Sequence, residues 1–380
     1  PQDKARIQAN VDWLLKTAVR KDGRVIGWSY PSEQLDRPDG SNTQYALLGL
    51  YAGKQAGATV PAEAWKQIRD LYATGIVPDG PDAGYWVYDQ RTGGAGGVGA
   101  GSFTMTVAGV CGLLIADMGL DDNPQRLDPA SGVAANCGKY PTNDPLARGM
   151  NWVGRRFAFT NPPGVKSVFY NVYGIERVGR LSGQRFLGRV DWYREGCEFL
   201  LKPGMQAADG SWNKVRPELA IDGVEPLTTS FALLFLSKGR SPVLISKLAH
   251  GDAQLDGGGI TERGDEPGVV GWNRKHSDAR HLTEFAGRDL FNGLPLGWQV
   301  YDPRRRPFGT DDDIRAEVGV LVQSPVLYIT GHKRPRLGGQ QKEIVRRYVE
   351  EGGFILAEAC CGSEEFAAGF RDLMKELFPD

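Results

Sequence analysis

Four apolar segments at near-constant spacing constrain this chain more than any other feature. Tyr45-Ala-Leu-Leu-Gly-Leu, Ala108-Gly-Val-Cys-Gly-Leu, Tyr170-Asn-Val-Tyr-Gly-Ile and Phe231-Ala-Leu-Leu-Phe-Leu align with their fifth positions at Gly49, Gly112, Gly174 and Phe235, which lie 63, 62 and 61 residues apart. A period of that size marks a stacked supersecondary unit. Each segment is apolar nearly all round, as a helix is when protein covers every side. Each follows a polar entry suited to capping: Ser41-Asn-Thr, Ser102-Phe-Thr, Ser167 and Thr228-Thr-Ser. Between them lie one-sided stripes. Ile7, Val11, Leu14, Leu15 and Ala18 form one, Trp192, Gly196, Phe199 and Leu200 another, and Trp65 and Trp152 mark two more. These read as outer helices with one wet face. Gly/Trp connectors follow three of them, at Gly27-Trp28, Gly84-Tyr-Trp86 and Gly210-Ser-Trp212, whereas Asn161-Pro-Pro-Gly stands in the third unit. The first 240 residues therefore predict four outer–inner helix pairs, stacked as a solenoid or curled toward a ring.

Composition bounds the rest. A length of 380 residues asks for about two domains. With 41% hydrophobic and 24% charged residues, a core can be buried and disorder is not the default. Glycine, at 51 residues, has about twice its usual share. Lys plus Arg number 45 against 46 Asp plus Glu, and residues 243–380 carry 18 against 22, so neither half is basic enough for a nucleic-acid surface. No stretch is read as approaching the ~18 apolar residues of a membrane span, so the chain is expected not to cross one. Five cysteines, an odd and scattered number, do not look like a disulfide framework. A chain starting at Pro1 reads as a trimmed product and leaves its compartment unread.

The run Gln206-Ala-Ala-Asp-Gly210-Ser-Trp212, behind Asp191-Trp-Tyr-Arg-Glu-Gly-Cys-Glu-Phe-Leu-Leu, resembles the glutamine–tryptophan motif of squalene and terpenoid cyclases. The resemblance implies an α/α toroid, the fold shared with protein prenyltransferase β-subunits. It is strongest from Tyr170 to Leu236. A toroid of that superfamily usually has about six helix pairs and four are counted here, so residues are expected upstream of Pro1 or the solenoid stays open. Cyclase chemistry needs an Asp-x-Asp-Asp acid at the mouth of an inner helix. The matching places hold Thr43-Gln44, Thr104-Met-Thr106, Tyr170-Asn171 and Thr228-Thr-Ser230, none of them acidic. Asp121-Asp122 reads as a turn, and Asp311-Asp-Asp313 lies outside the repeats. A prenyltransferase zinc site needs histidine, and His250, His276, His281 and His332 all fall after the repeats. What remains is a concave surface on which Trp28, Trp86, Trp212, Tyr45, Tyr170 and Tyr173 are candidates to line a groove for an apolar small molecule or a peptide. The competing reading has the tryptophans locking loops against helix ends. Gly94-Ala-Gly-Gly-Val-Gly99 fits a dinucleotide fingerprint after the strand-like run at Tyr85, yet no βαβ unit follows, so a loop is expected.

After Pro242 the pattern changes. Apolar strands at Val243-Leu-Ile-Ser-Lys-Leu, Leu296-Gly-Trp-Gln-Val-Tyr, Pro325-Val-Leu-Tyr-Ile-Thr and Phe354-Ile-Leu-Ala-Glu alternate with helices at 276–290, 339–351 and the C-terminus. Such alternation predicts a parallel sheet. The fold is thus read as an all-α, toroid-like repeat domain over residues 1–242 followed by an α/β parallel-sheet domain over 243–380. Arg304-Arg-Arg306 and Lys333-Arg-Pro-Arg336 read as solvated basic loops, with a phosphate or carboxylate ligand as the alternative.

Trp272-Asn273, His281-Leu-Thr, Trp298-Gln-Val, Leu327-Tyr-Ile-Thr-Gly-His332 and Tyr348-Val-Glu-Glu-Gly-Gly353-Phe-Ile-Leu resemble a bacterial domain family of unknown function, often fused behind cyclase-like repeats. The resemblance implies a fold similar to class I glutamine amidotransferases, cut short at Asp380. Ligands of such sheets gather at the carboxyl ends of strands. There His332, Glu358, Cys360 and Cys361 are candidate catalytic residues, a cysteine as nucleophile and His332 as its base. An amidotransferase elbow reads Gly-x-Cys-x-Gly, and Ala359-Cys-Cys-Gly362 lacks the first glycine. No cofactor or metal is expected, since adjacent cysteines rarely aim at one ion. Three functions stay open: a binding or scaffold module without cyclase chemistry, a Cys/His hydrolase or amidotransferase-like enzyme, and a degenerate cyclase.

Overall fold

The computed structural model describes residues 2–30, 38–77, 80, 83–87, 102–120, 129–130, 144–159, 167–212, 225–237, 241–252, 271–305 and 309–379. Gly94–Gly99, Asp121-Asp122, Asn161–Gly164 and Arg306 lie outside them. The chain divides into two units: Pro1–Asn123 with Arg148–Ser182 and Trp192–Phe235, and Pro124–Ala147 with Gly183–Asp191 and Leu236–Asp380.

The first unit is helical. Its elements are α1 (Gln2–Thr17), a hairpin of β1 (Val19–Lys21) and β2 (Arg24–Gly27), α2 (Gly40–Gln55), α3 (Ala62–Gly75), α4 (Phe103–Leu120), α5 (Asp144–Arg156, from Arg148 on), α6 (Val168–Ser182), α7 (Trp192–Leu200) and α8 (Glu225–Ser237). The four apolar segments fall on α2, α4, α6 and α8, and the one-sided stripes on α1, α3, α5 and α7. Inner helices pack in sequence, α2 on α4 and α4 on α6. Tyr173 stacks on Phe231, ring centroids 5.3 Å apart, and so brings α8 beside α6. Outer helices cover them, α1 on α2, α3 on α4 and α7 on α6.

One clamp recurs three times. The indole N–H of Trp28 donates to the Leu14 carbonyl (2.7 Å), that of Trp86 to Tyr72 (2.9 Å) and that of Trp212 to Leu200 (2.9 Å), each a carbonyl near the end of the preceding outer helix. The same residues' backbone N–H groups donate to Thr43 Oγ1 (2.9 Å), Thr106 Oγ1 (3.2 Å) and Thr229 Oγ1 (3.2 Å), in the first turns of α2, α4 and α8. Each tryptophan thus donates to a carbonyl near a helix end and buries a large apolar ring. All three face the interior of the unit, 4%, 1% and 6% exposed, with no ring face left to a groove.

Glycines along α4 serve the same layer. A Cβ on Gly109 would stand 2.3 Å from the Trp86 ring, on Gly112 2.3 Å from Tyr72, and on Gly119 2.3 Å from Trp65. Side-chain-free positions along α4 admit the rings of the outer layer. The run Phe103–Leu120, with mean hydropathy 1.7, is in fact long and apolar enough to cross a membrane, which corrects the reading that no stretch approaches that length. Protein covers 83% of it, as for a core helix.

The second unit is an α/β domain. Beside a short hairpin, β3 (Phe186–Leu187) with β4 (Val190–Asp191), it contains β5 (Val243–Leu248), α9 (Asp278–Phe285), β6 (Gly297–Tyr301), α10 (Asp311–Leu321), β7 (Val326–Gly331), α11 (Gly339–Glu350), β8 (Phe354–Ala359) and α12 (Glu364–Leu377). The four long strands are parallel in the order β6-β5-β7-β8. The winding reverses between β5 and β7, a topological switch point, where ligands of open α/β sheets bind.

Alternation along the strands separates two faces. One carries Leu248, Tyr301, Leu327 and Ile329 into a core with Val318 and Leu321 of α10, Ile344, Val345 and Tyr348 of α11, and Phe366, Leu373 and Leu377 of α12. The register pairs Lys247 with Tyr328 and Thr330 with Glu358, so these polar residues share the opposite face, where Ala279 of α9 packs on Ile245 and Tyr328.

Two arginines expected in a solvated loop are buried. Arg304 pairs with Asp302 (2.8 Å) and Arg305 with Glu317 (2.5 Å), and the Arg305 guanidinium lies 3.7 Å over Phe186. Each has its own carboxylate, so a row of like charges in sequence becomes separate ion pairs.

Candidate functional site

The polar face leads to a cluster of chemistry-bearing groups at the carboxyl edge. β5 delivers Lys247, whose ammonium is fully buried and donates to Asp278 Oδ1 (2.7 Å), Asn273 Oδ1 (3.0 Å) and the Lys275 carbonyl (2.8 Å). All three N–H directions are used, which is what a buried ammonium requires. One strand over, the Tyr328 hydroxyl donates to Glu358, which also accepts from Lys275 Nζ at 2.6 Å. Burial raises the Glu358 carboxyl, but the hydrogen bonds from Lys275 and Tyr328 outweigh it and hold the group below its usual range. Burial likewise opposes charge on Lys275, and its bond to Glu358 wins, so that ammonium is held above its ordinary value. The Tyr328 phenol is pushed up, chiefly by burial and then by the nearby Asp278 charge.

β7 and β8 end side by side and bring His332 to Cys360, Nε2 to Sγ 3.1 Å. Cys360 is buried, and burial pushes its thiol up to about 11 against the lowering charge of Lys275. The turn after β8 is tight. Cys361 sits in the left-handed region at φ 55°, an uncommon place for a non-glycine residue, before Gly362 and the helix cap Ser363. The Ser363 hydroxyl donates to the His332 carbonyl and accepts from Phe366 N (3.2 Å), tying the start of α12 to the end of β7.

The imidazole's tautomer follows from its other neighbour. Arg274 Nη1 lies 3.2 Å from His332 Nδ1, and a guanidinium can only donate. Nδ1 therefore accepts, the ring proton sits on Nε2, and His332 donates to the Cys360 sulfur. This differs from a thiol–imidazole pair in which a carboxylate or amide accepts from the far nitrogen and leaves the near one as base.

The expected site residues thus separate. His332, Cys360 and Cys361 have side-chain donor atoms within 4.8 Å of one another, whereas Glu358 serves Lys275 and Tyr328. Cys361 lies 3.7 Å from Cys360, sulfur to sulfur, and is itself in a disulfide, which the scattered cysteine count did not suggest. Its sulfur is no thiolate ligand, and His332 with Cys360 alone falls short of the four-coordinate set zinc takes. Sequence reasoning missed Lys247, Arg274, Lys275, Asp278 and Tyr328. A lysine inside the apolar strand Val243-Leu-Ile-Ser-Lys-Leu was the available signal.

In the helical unit, Tyr45, Tyr170 and Tyr173 stand apart from the three tryptophans. Tyr45 and Tyr170 have ring centroids 6.3 Å apart, Tyr170 and Phe231 6.1 Å, and Tyr45 is 42% exposed. These rings line the inner-helix side.

Residues 309–380 match a protein family described as a domain of unknown function, DUF4159. That span runs from α10 through α12 and includes His332, Glu358, Cys360 and Cys361. No curated protein and no solved structure matches the chain.

Proposed function

We propose that the α/β unit is a cysteine-dependent hydrolase or amidotransferase-like enzyme, with Cys360 as nucleophile and His332 as its partner. The contact of 3.1 Å between His332 Nε2 and Cys360 Sγ at the ends of adjacent parallel strands carries the reading. At rest the thiol is protonated and His332 donates to it. For His332 to take the thiol proton, Nδ1 has to hold the ring proton instead, which requires Arg274 to leave that atom. A substrate with a carboxylate or polarised carbonyl is the partner that draws a guanidinium away, so binding would switch the imidazole from donor to base. Lys275 and Lys247 then favour the thiolate by charge, against the opposing charges of Glu358 and Asp278. Incubation with p-nitrophenyl acetate and peptide mass spectrometry tests this. An acetyl group on Cys360 is expected, lost in Cys360→Ser and formed at least about ten-fold more slowly in His332→Ala. Acylation at equal rate in both variants removes the proposal.

The helical repeats we read as a toroid-like binding or scaffold module without cyclase chemistry. The positions matching a cyclase acid are occupied by groups with another task, since Thr43, Thr106 and Thr229 hold the tryptophan clamps. Asp39, just ahead of α2, is spent on capping that helix through Asn42 N. Turnover of a polyprenyl substrate by the purified chain would overturn this reading.

A further inference from the structure

Among the described residues, the helical unit holds a buried cation with no carboxylate paired to it. Arg177, on α6, is 5% exposed. Its Nη2 donates to Gln44 Oε1 at 3.1 Å, and its guanidinium carbon lies 4.4 Å from the Tyr173 ring centroid. Nε and Nη1 have no hydrogen-bond partner, and among the described residues no carboxylate pairs with it. Glu176, its neighbour on the helix, pairs with Arg180 at 3.3 Å instead. Cys111, close enough to feel the Arg177 charge, is a neutral thiol, burial having pushed it up to about 12. The Tyr72 hydroxyl, also within reach of that charge, is buried and has no partner either. A guanidinium never loses its proton in a protein, and one neutral acceptor plus one aromatic face do not replace the water it gives up.

From these observations we infer that the inner face of the helical repeats is a binding site for an amphiphile with one anionic head group, carboxylate or phosphate, seated on Arg177. The head is fixed by the two unpartnered guanidinium nitrogens, with the Tyr72 hydroxyl as a further donor. The body is apolar, because the rings lead away from the guanidinium: Tyr173 stacked on Phe231, Phe231 against Tyr170, and Tyr170 beside the half-exposed Tyr45. The inference rests on the binding-module reading of the repeats and supplies its ligand class. It requires no covalent step.

The test is calorimetric titration of the full chain, below micellar concentrations, with dodecanoate, dodecyl phosphate and dodecanol. At least one of the two anions is expected to bind ten-fold or more tightly than dodecanol, as for hydrogen bonds to a charged group, and their order tells which head the site takes. Arg177→Met should erase that preference while raising the melting temperature of the ligand-free protein, because a buried unpaired charge is replaced by an apolar side chain of similar length. Equal binding of dodecanol and both anions overturns the anion site and leaves the repeats as an apolar binding module. Failure of all three to bind overturns both. A variant that melts lower than the parent with the preference intact refutes the role given to Arg177.

Discussion

The two faces of the α/β sheet are made by the same four strands and differ in kind. On one, Leu248, Leu327 and Ile329 meet three helices in a continuous apolar core. On the other, Lys247, Tyr328, Thr330 and Glu358 run across neighbouring strands beneath Asp278 and Lys275. Apolar packing is tolerant of exchange at constant volume, whereas each buried charge depends on its own named partners. Stability therefore resides mainly in the first face, and the second keeps costly groups close to Cys360 and His332. Perturbing each face in turn separates the roles.

The largest effect belongs to Lys247→Met. It leaves the Asp278 carboxylate facing a partner that is gone, and losing one member of a buried pair costs about 3–5 kcal/mol. The double variant Lys247→Met with Asp278→Leu should recover most of that loss, which urea unfolding would read. If single and double variants are equally destabilised, the pair is not the reason for the cost. On the apolar face, Ile329→Ala should cost about 3 kcal/mol by cavity formation, with no compensating second change available.

The switch point between β5 and β7 gives the next effect. His250 Nε2 lies 2.9 Å from the Thr330 carbonyl and donates to it, while Nδ1 is buried without a partner. Burial is the main cause that lowers the group to about 4 from an ordinary 6.5. Between those values the unfolded chain holds the extra proton and the folded one does not, so stability falls as pH falls from about 6.5 toward 4. The loss from pH 6.5 to pH 5 should be about 1.6 kcal/mol, approaching a slope of 1.36 kcal/mol per unit once the unfolded imidazole is fully protonated. Unfolding curves over that range should flatten in His250→Asn, and an unchanged slope would mean that the imidazole is protonated in the fold.

Much of this architecture is legible in the residue pattern alone. The period of the inner helices, the Gly/Trp connectors and the four apolar strands all depend on local pattern, and each appears where the residues place it. The faces of the sheet are less so. Lys247 can be seen inside a strand, but its acid, Asp278, stands 31 residues away and only the crossover brings it near. His332 and Cys360 can be assigned to neighbouring strand ends, whereas the role of Arg274 cannot. A guanidinium on Nδ1 has no sequence signature, yet it decides which nitrogen carries the proton. Arg177 is hidden for a similar reason. It follows the run Tyr170-Asn-Val-Tyr-Gly-Ile and reads as an ordinary helix-surface charge until the inner helices are packed.

The smallest difference is the most discriminating, because Tyr328 and Ile329 are adjacent and point to opposite faces. Tyr328→Phe removes one hydrogen bond to Glu358, and Ile329→Val removes one methyl group from the core. Each should cost about 1 kcal/mol, so stability alone does not tell them apart. Titration of Glu358 does. Its carboxyl is held low partly by the Tyr328 hydroxyl, so the phenylalanine variant should raise it, while Ile329→Val leaves it where it was. Carboxyl carbon shifts followed by NMR against pH would show which occurs. If both variants move Glu358 alike, the two faces are mechanically coupled and the polar row responds to packing as well as to its own partners.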